Sequence, residues 1–205
     1  MTEERLTTLE RIHQAAKMEF LKKGFRSASL RNIVKSAGMT TGAFYGYYRS
    51  KEELFGKLVG EHYDYLIGRF KDAQKEFSDL PHEQQPEAMS RISGACMFDM
   101  LHYAYSHLEE CRLILCCAEG TKFSGLIDEM VEIETESTHA YQSVLNELGR
   151  PSPPVDPALE HILITGMFHT FFELIIHEMP LPDAENYVKE MRAFYTAGWM
   201  KIMGQ

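Results

Sequence analysis

Residues 29–51 gather side chains suited to touching a nucleic acid: Ser29, Arg31, Thr40, Thr41, Tyr45, Tyr47 and Lys51, with Gly42 among them. A guanidinium pairs with guanine at two points, and threonine offers a methyl to thymine and a hydroxyl to polar base edges. Hydroxyls, ammonium groups and the free N–H groups of a helix start bind phosphate. On this reading Arg31 reads a base edge, and Lys51 and Tyr47 hold phosphate. Ser29 caps a helix and touches phosphate. Thr40 and Thr41 face base edges, Tyr45 meets phosphate or thymine, and Gly42 lets the backbone come close.

Two rival chemistries are visible. His107 and Cys111 stand i, i+4 on one helix face, with Cys116 and Cys117 nearby. Thiolate and imidazole suit zinc or copper, so a metal- or thiol-redox-responsive regulator is the alternative reading. Against it, the chain has no Cys-x-x-Cys, and adjacent cysteines on a helix point about 100° apart. Cys96, Cys111, Cys116 and Cys117 therefore read as reduced core residues, with no metal site and no cofactor expected. Catalysis has no foothold either. There is no Gly-rich phosphate loop, no Gly-x-Ser-x-Gly and no His-Glu-x-x-His, so the chain is not read as an enzyme.

Charge is divided along the chain. Residues 1–60 carry 11 Lys+Arg against 6 Asp+Glu, and residues 61–205 carry 10 against 24. A basic head that binds a polyanion, joined to an acidic body that stays off it, fits this split. The 205 residues suit one or two domains. No basic-then-apolar leader opens the sequence, and no run reaches the about 18 uninterrupted apolar residues of a membrane span. A cytoplasmic protein with no membrane partner is the expectation.

Positioning these side chains requires short helices in a fixed order. Glu4–Lys23 reads as a first amphipathic helix with Leu9, Ile12, Ala16 and Phe20 on one stripe, and Gly24 follows as a left-handed cap. Ser29 caps a second helix with Leu30, Ile33, Val34 and Ala37 inward. Gly38 makes the turn, Met39 fills its corner, and Thr40 caps a third helix, 41–47, with Ala43, Phe44 and Tyr48 inward. Ser50-Lys51-Glu52-Glu53 reads as a capping box opening a fourth helix that runs to about Phe77. Helices are then expected over 87–108, 110–118, 126–148, from Asp156 to Glu178, and from Asp183 to about Ile202, with no strand. The fold class is all-α: an N-terminal three-helix helix-turn-helix DNA-binding domain, 1–50, and a C-terminal helical ligand-binding and dimerisation domain, 51–205.

The head resembles the DNA-binding domain of TetR-type transcriptional regulators. The resemblance rests on Ala15-Ala16, Phe20, Gly24-Phe25, Ser29-Leu-Arg-Asn-Ile33, Ala37-Gly38, Thr41-Gly-Ala-Phe-Tyr45, Tyr48 and Ser50-Lys51-Glu52-Glu53-Leu54. It implies a homodimeric repressor bound to a near-palindromic double-stranded operator and released by a small molecule. An activator role is the less favoured variant. Where many family members have Tyr-His-Phe, this chain has Gly46-Tyr47-Tyr48, which passes the histidine's backbone contact to Tyr47.

In the body, the helix around Phe168 is apolar on more than one side. Leu159, Ile162, Met167, Phe171 and Leu174, with Met191, Phe194, Tyr195 and Gly198 of the last helix, are expected at the dimer interface. Met97, Leu101, Tyr105, Phe123, Met130, Tyr141 and Phe168, with His169 and Glu173 as polar partners, are expected to line the site of an apolar or amphipathic effector.

Overall fold

Thr7 opens the first helix with a capping box, its hydroxyl accepting from Glu10 N while the Glu10 carboxylate accepts from Thr7 N. A computed structural model describes residues 6–204. Every regular element among the described residues is helical: α1 Thr8–Ser27, α2 Leu30–Ser36, α3 Thr41–Phe44, α4 Lys51–Ser78, α5 Gln85–Ser106, α6 Leu108–Arg112, α7 Leu126–Glu147, α8 Pro157–Ile176 and α9 Leu181–Ile202. A 3-10 turn, His82–Gln84, leads into α5, and a π-helical turn, Leu113–Cys117, continues α6. The all-α expectation holds. The expected start of the first helix at Glu4 lies outside the described residues.

The described chain forms two compact units, residues 6–64 with 107–125, and residues 65–106 with 126–204. Helix α4 contributes to both. The first unit reaches beyond residue 50 because later side chains fasten to α1: Lys17 Nζ lies 3.2 Å from Glu109 Oε2, and Arg26 Nη1 lies 2.6 Å from Glu119 Oε1. Phe123 packs on Phe55, with ring centroids 6.3 Å apart, and on Tyr63 at 5.5 Å.

In the first unit Ile12, Ala16, Phe20, Phe25, Ile33, Val34, Phe44, Leu54 and Phe55 are buried. Phe20, Phe25 and Phe55 form a ring trio with centroids 5.1–5.9 Å apart. Such pairs add about 0.5–1.5 kcal/mol beyond the area they bury. Leu9 and Ala43, expected inside, are exposed, because each sits on the solvent edge of a short apolar stripe. Gly24 interrupts α1 with φ 70° and ψ 162°. The positive φ matches expectation, but this ψ is outside the left-handed helical region and is essentially confined to glycine.

The second unit is built on α7 against α8 and α5 against α9. Leu101, Met130, Ile164, Phe168, Phe171, Phe172 and Val188 are buried there. Tyr141, Val144, Leu145 and Met203 form a further cluster with Phe77, Met89 and Trp199. Asp156 caps α8, its Oδ1 accepting from Ala158 N and Leu159 N at 3.0 Å. By length and composition α8 is apolar enough to cross a membrane. Glu160 and Glu173 interrupt it, and Phe168, Phe171 and Phe172 bury one of its sides within the unit.

Candidate DNA-binding surface

Ser29 closes the start of α2: its Oγ accepts from Asn32 N at 3.4 Å, and its own N–H donates to Glu19 Oε1 at 3.0 Å. Lys23, also bonded to Glu19 at 2.9 Å, holds that carboxyl below the usual carboxylate range, aided by the Ser29 N–H. Helix α2 ends at Gly38, φ 68°, with Met39 N donating back to Val34 O at 3.1 Å. A positive φ of this size favours glycine. Thr40 then caps α3, its Oγ1 accepting from Ala43 N at 3.2 Å.

Helix α3 is shorter than the expected 41–47. Phe44 N and Tyr45 N bond four residues back, to Thr40 O and Thr41 O, but Gly46 N and Tyr47 N bond three back, to Ala43 O and Phe44 O. The last turn therefore tightens into 3-10 form. Phe44 is wholly buried and Tyr48 is 7 % exposed. Tyr48 Oη shares a hydrogen bond with His13 Nε2, which ties the end of α3 to α1. Burial, reinforced by Lys17 and Lys57, lowers the His13 pKa.

Over this base Arg31, Thr40, Thr41, Gly42, Tyr45 and Tyr47 are all exposed, and Ser29 is half-buried. Arg31, Thr40 and Thr41 share a shallow groove with Lys35, Gly38 and Met39. Lys35 was not among the expected contacts. Its position one turn after Arg31 was the available signal.

Lys51 departs from expectation. Its Nζ donates to the carbonyls of Phe25 at 2.6 Å, Ala28 at 3.0 Å and Arg26 at 3.4 Å, and lies 4.4 Å from the Phe25 ring centroid. The end of α1 leaves carbonyls without helical partners, and a cation there satisfies them. Lys51 therefore caps α1 instead of reaching toward phosphate. The box at the start of α4 forms in altered shape: Ser50 Oγ accepts from Glu53 N at 3.1 Å, while Glu53 Oε2 accepts from Arg49 N.

Residues 12–58 match the family described as bacterial regulatory proteins, tetR family. The head is a TetR-family DNA-binding domain. The chain is similar to the probable HTH-type transcriptional regulator YttP of Bacillus subtilis, 26 % identical over 161 residues, which are 78 % of this chain and 73 % of that one. It is also similar to the HTH-type transcriptional repressor KstR2 of Mycobacterium tuberculosis, 35 % identical over 63 residues, 31 % of each chain. Against KstR2 the likeness therefore spans less than a third of that protein. A solved member of the TetR transcriptional regulator family from Streptomyces coelicolor A3 shares the fold, with TM-score 0.61, 15 % identity, and coverage of 93 % of this chain and 91 % of that one. Outside the matched residues the likeness to such regulators is one of fold.

The body sorts its expected site residues differently. Leu101, Met130, Tyr141 and Phe168 are buried in the second unit, and Met97 and Tyr105 are half-buried. Tyr105 Oη donates to the carbonyls of Leu174 and Met179, so it ties down the end of α8. Phe123 belongs to the first unit and packs on Gly56 and Gly60 of α4, so it leaves the expected effector lining. His169 and Glu173 are exposed on α8, and Glu173 Oε2 pairs with His177 Nε2 at 2.7 Å. Neither turns inward as an effector partner. A half-buried polar pair lies elsewhere in the unit, Gln74 Nε2 donating to Glu134 Oε2 at 2.7 Å.

At the expected interface, Leu159, Ile162, Phe194 and Gly198 are exposed, and Met167, Met191 and Tyr195 are half-buried. Phe171, 1 % exposed, and Leu174, 5 % exposed, are core residues instead. A helix advances 100° per residue, so Phe171 stands about 120° around α8 from Leu159. The single stripe drawn through them crosses from the solvent side to the core side. Tyr187 and Met200 of α9 add exposed apolar area, at 50 % and 51 %.

Proposed function

We propose that this chain is a homodimeric repressor that binds a near-palindromic operator and leaves it when a small molecule enters the body. The observation that carries the reading is the exposed face of α2 and α3. Arg31, Thr40, Thr41, Gly42, Tyr45 and Tyr47 stand in solvent on a base fixed by buried Phe44 and Tyr48. A helix presented this way is what major-groove reading needs. Lys35 joins them as a phosphate contact.

Dimerisation is supported by the exposed side of α8 and α9, where Leu159, Ile162, Tyr187, Phe194 and Met200 leave large apolar side chains in water. Two-fold pairing of such a patch presents two heads to two half-sites. Effector binding is supported by the apolar interior of the second unit, where Leu101, Met130 and Phe168 are buried, and by the half-buried polar pair Glu134 and Gln74 in the same unit. That lining suits an apolar or amphipathic molecule. The effector acts by preferring the state that does not fit DNA. The relative KstR2 is named as a repressor, which favours repression over activation. The place of work is the cytoplasm.

The thiol-responsive variant has less support. Burial pushes the thiols of Cys96 and Cys111 up to about 12 and that of Cys117 to about 11, far from the reactive thiolate range.

The test is fluorescence anisotropy on a duplex selected by the purified protein, with a library of apolar and amphipathic compounds added. Two protomers per duplex, and release by at least one compound that also raises the melting temperature, are the expected result. Binding of one protomer per duplex would contradict the reading.

A further inference from the structure

In the first unit, away from the α2–α3 face, His62 of α4 meets His107 and Glu110 of the α6 segment. Their ligand atoms, one from each side chain, all lie within 4.8 Å of one another. The two imidazole rings have centroids 4.7 Å apart at an interplanar angle of 40°. His107 is the N-cap residue of α6 and Glu110 lies in the first turn of that helix, three residues on. His62 is buried and the other two are half-buried. Two imidazoles and a carboxylate are ligands of choice for zinc and its neighbours in the first transition row.

We propose that His62, His107 and Glu110 bind a divalent transition-metal ion of the zinc type, with the remaining position open to water. In a tetrahedral zinc site with bonds of about 2.0–2.2 Å, ligand atoms sit about 3.3–3.6 Å apart. Side-chain movements of at most about 1.5 Å close the present spacing to that value. The local charge favours a dication. Glu61 Oε1 lies 3.6 Å from His62 Nε2, and Glu109 adjoins the ligand Glu110, with the ammonium of Lys17 on both of these last two. Lys17 contacts both Glu109 and Glu110, so it can keep Glu109 when Glu110 turns to the metal. The expected pair His107 and Cys111 is not the group that converges. Cys111 is wholly buried and outside the cluster. A bound ion would link α4, which carries the DNA-binding head at its start, to α6.

The test uses the full chain, stripped with a chelator and dialysed, then titrated with Zn²⁺ against a competing dye and with Co²⁺ by visible spectroscopy. One equivalent per chain is expected, with a tetrahedral Co²⁺ spectrum free of thiolate charge-transfer bands. His107→Ala and Glu110→Gln, at half-buried positions that spare the core, should each weaken binding at least about tenfold. Circular dichroism confirms that both variants are folded. Absence of stoichiometric binding would overturn the proposal. So would affinity unchanged in both variants, or binding abolished by alkylating the thiols.

Discussion

Arg31 and Lys35 stand one helical turn apart on the exposed side of α2, yet different work is predicted for each. Arg31→Ala is expected to cost about 1–3 kcal/mol on the best duplex and to relax the preference at one base pair. Lys35→Ala is expected to weaken all sequences alike and to reduce the salt slope by about one. Anisotropy on a panel of duplexes at several salt concentrations separates the two. Lys51→Ala acts on the fold first. It takes the ammonium from three carbonyls at the end of α1, of which that of Phe25 keeps the Ala28 N–H, a loss of about 1–3 kcal/mol that a denaturant titration would record without any DNA. The type of Lys51 was plain in the sequence, but its direction was not. Whether a lysine at a helix start points outward or back onto a neighbouring helix end depends on how α1 and α4 cross, and no local pattern encodes that. The caps were legible for the opposite reason. Thr7, Ser29, Thr40 and Ser50 act within three residues of themselves, as does the turn at Gly38.

Helix α8 shows where periodicity stops informing. Apolar residues surround it, so any stripe drawn along it fits some face. Only packing distinguishes Leu159 and Ile162, in solvent, from Phe171 and Leu174, in the core. Phe171→Glu is therefore expected to unfold the second unit, not to release monomers. Within α7, burial raises the Glu134 carboxyl pKa against the lowering effect of the Gln74 hydrogen bond. A carboxyl with a raised folded pKa contributes its stability fully below its unfolded pKa of about 4.3, and that contribution is lost as pH rises through the folded value. Glu134→Gln keeps an acceptor for Gln74 and removes the charge. Its melting temperature is expected to exceed that of the wild type at pH 8 and to match it near pH 4. An equal gain at both values would show that charge is not the cause. The thiols divide in the same way. Cys116 is exposed while Cys96, Cys111 and Cys117 are buried with raised pKa values. A disulfide reagent at pH 8 should label one thiol quickly and the other three only after denaturation.

For the whole molecule, the sequence made the head legible and the body only coarsely so. The head must meet DNA, whose geometry is fixed, and residues 12–58 keep the family pattern. The body has no such fixed template, and its residues are constrained by mutual packing. Its helices were readable from apolar spacing, while Phe123 joined the first unit through contacts with Gly56 and Gly60 that lie far away in the chain. The exposed apolar side chains of α8 and α9 carry the dimer prediction. Ile162→Glu combined with Phe194→Glu changes residues 63 % and 73 % exposed, so the fold is expected to survive. Sedimentation should then report monomers whose operator affinity falls sharply. A dimer unchanged by both substitutions would move the interface elsewhere. The central claim is that two heads read one symmetric site. The direct measurement is selection of a random duplex library by the full chain at two salt concentrations, followed by sequencing. The account predicts an inverted repeat whose enrichment falls steeply with salt and loses its sequence preference in Arg31→Ala. No enriched sequence at either salt, or an enriched site without two-fold symmetry, would contradict it.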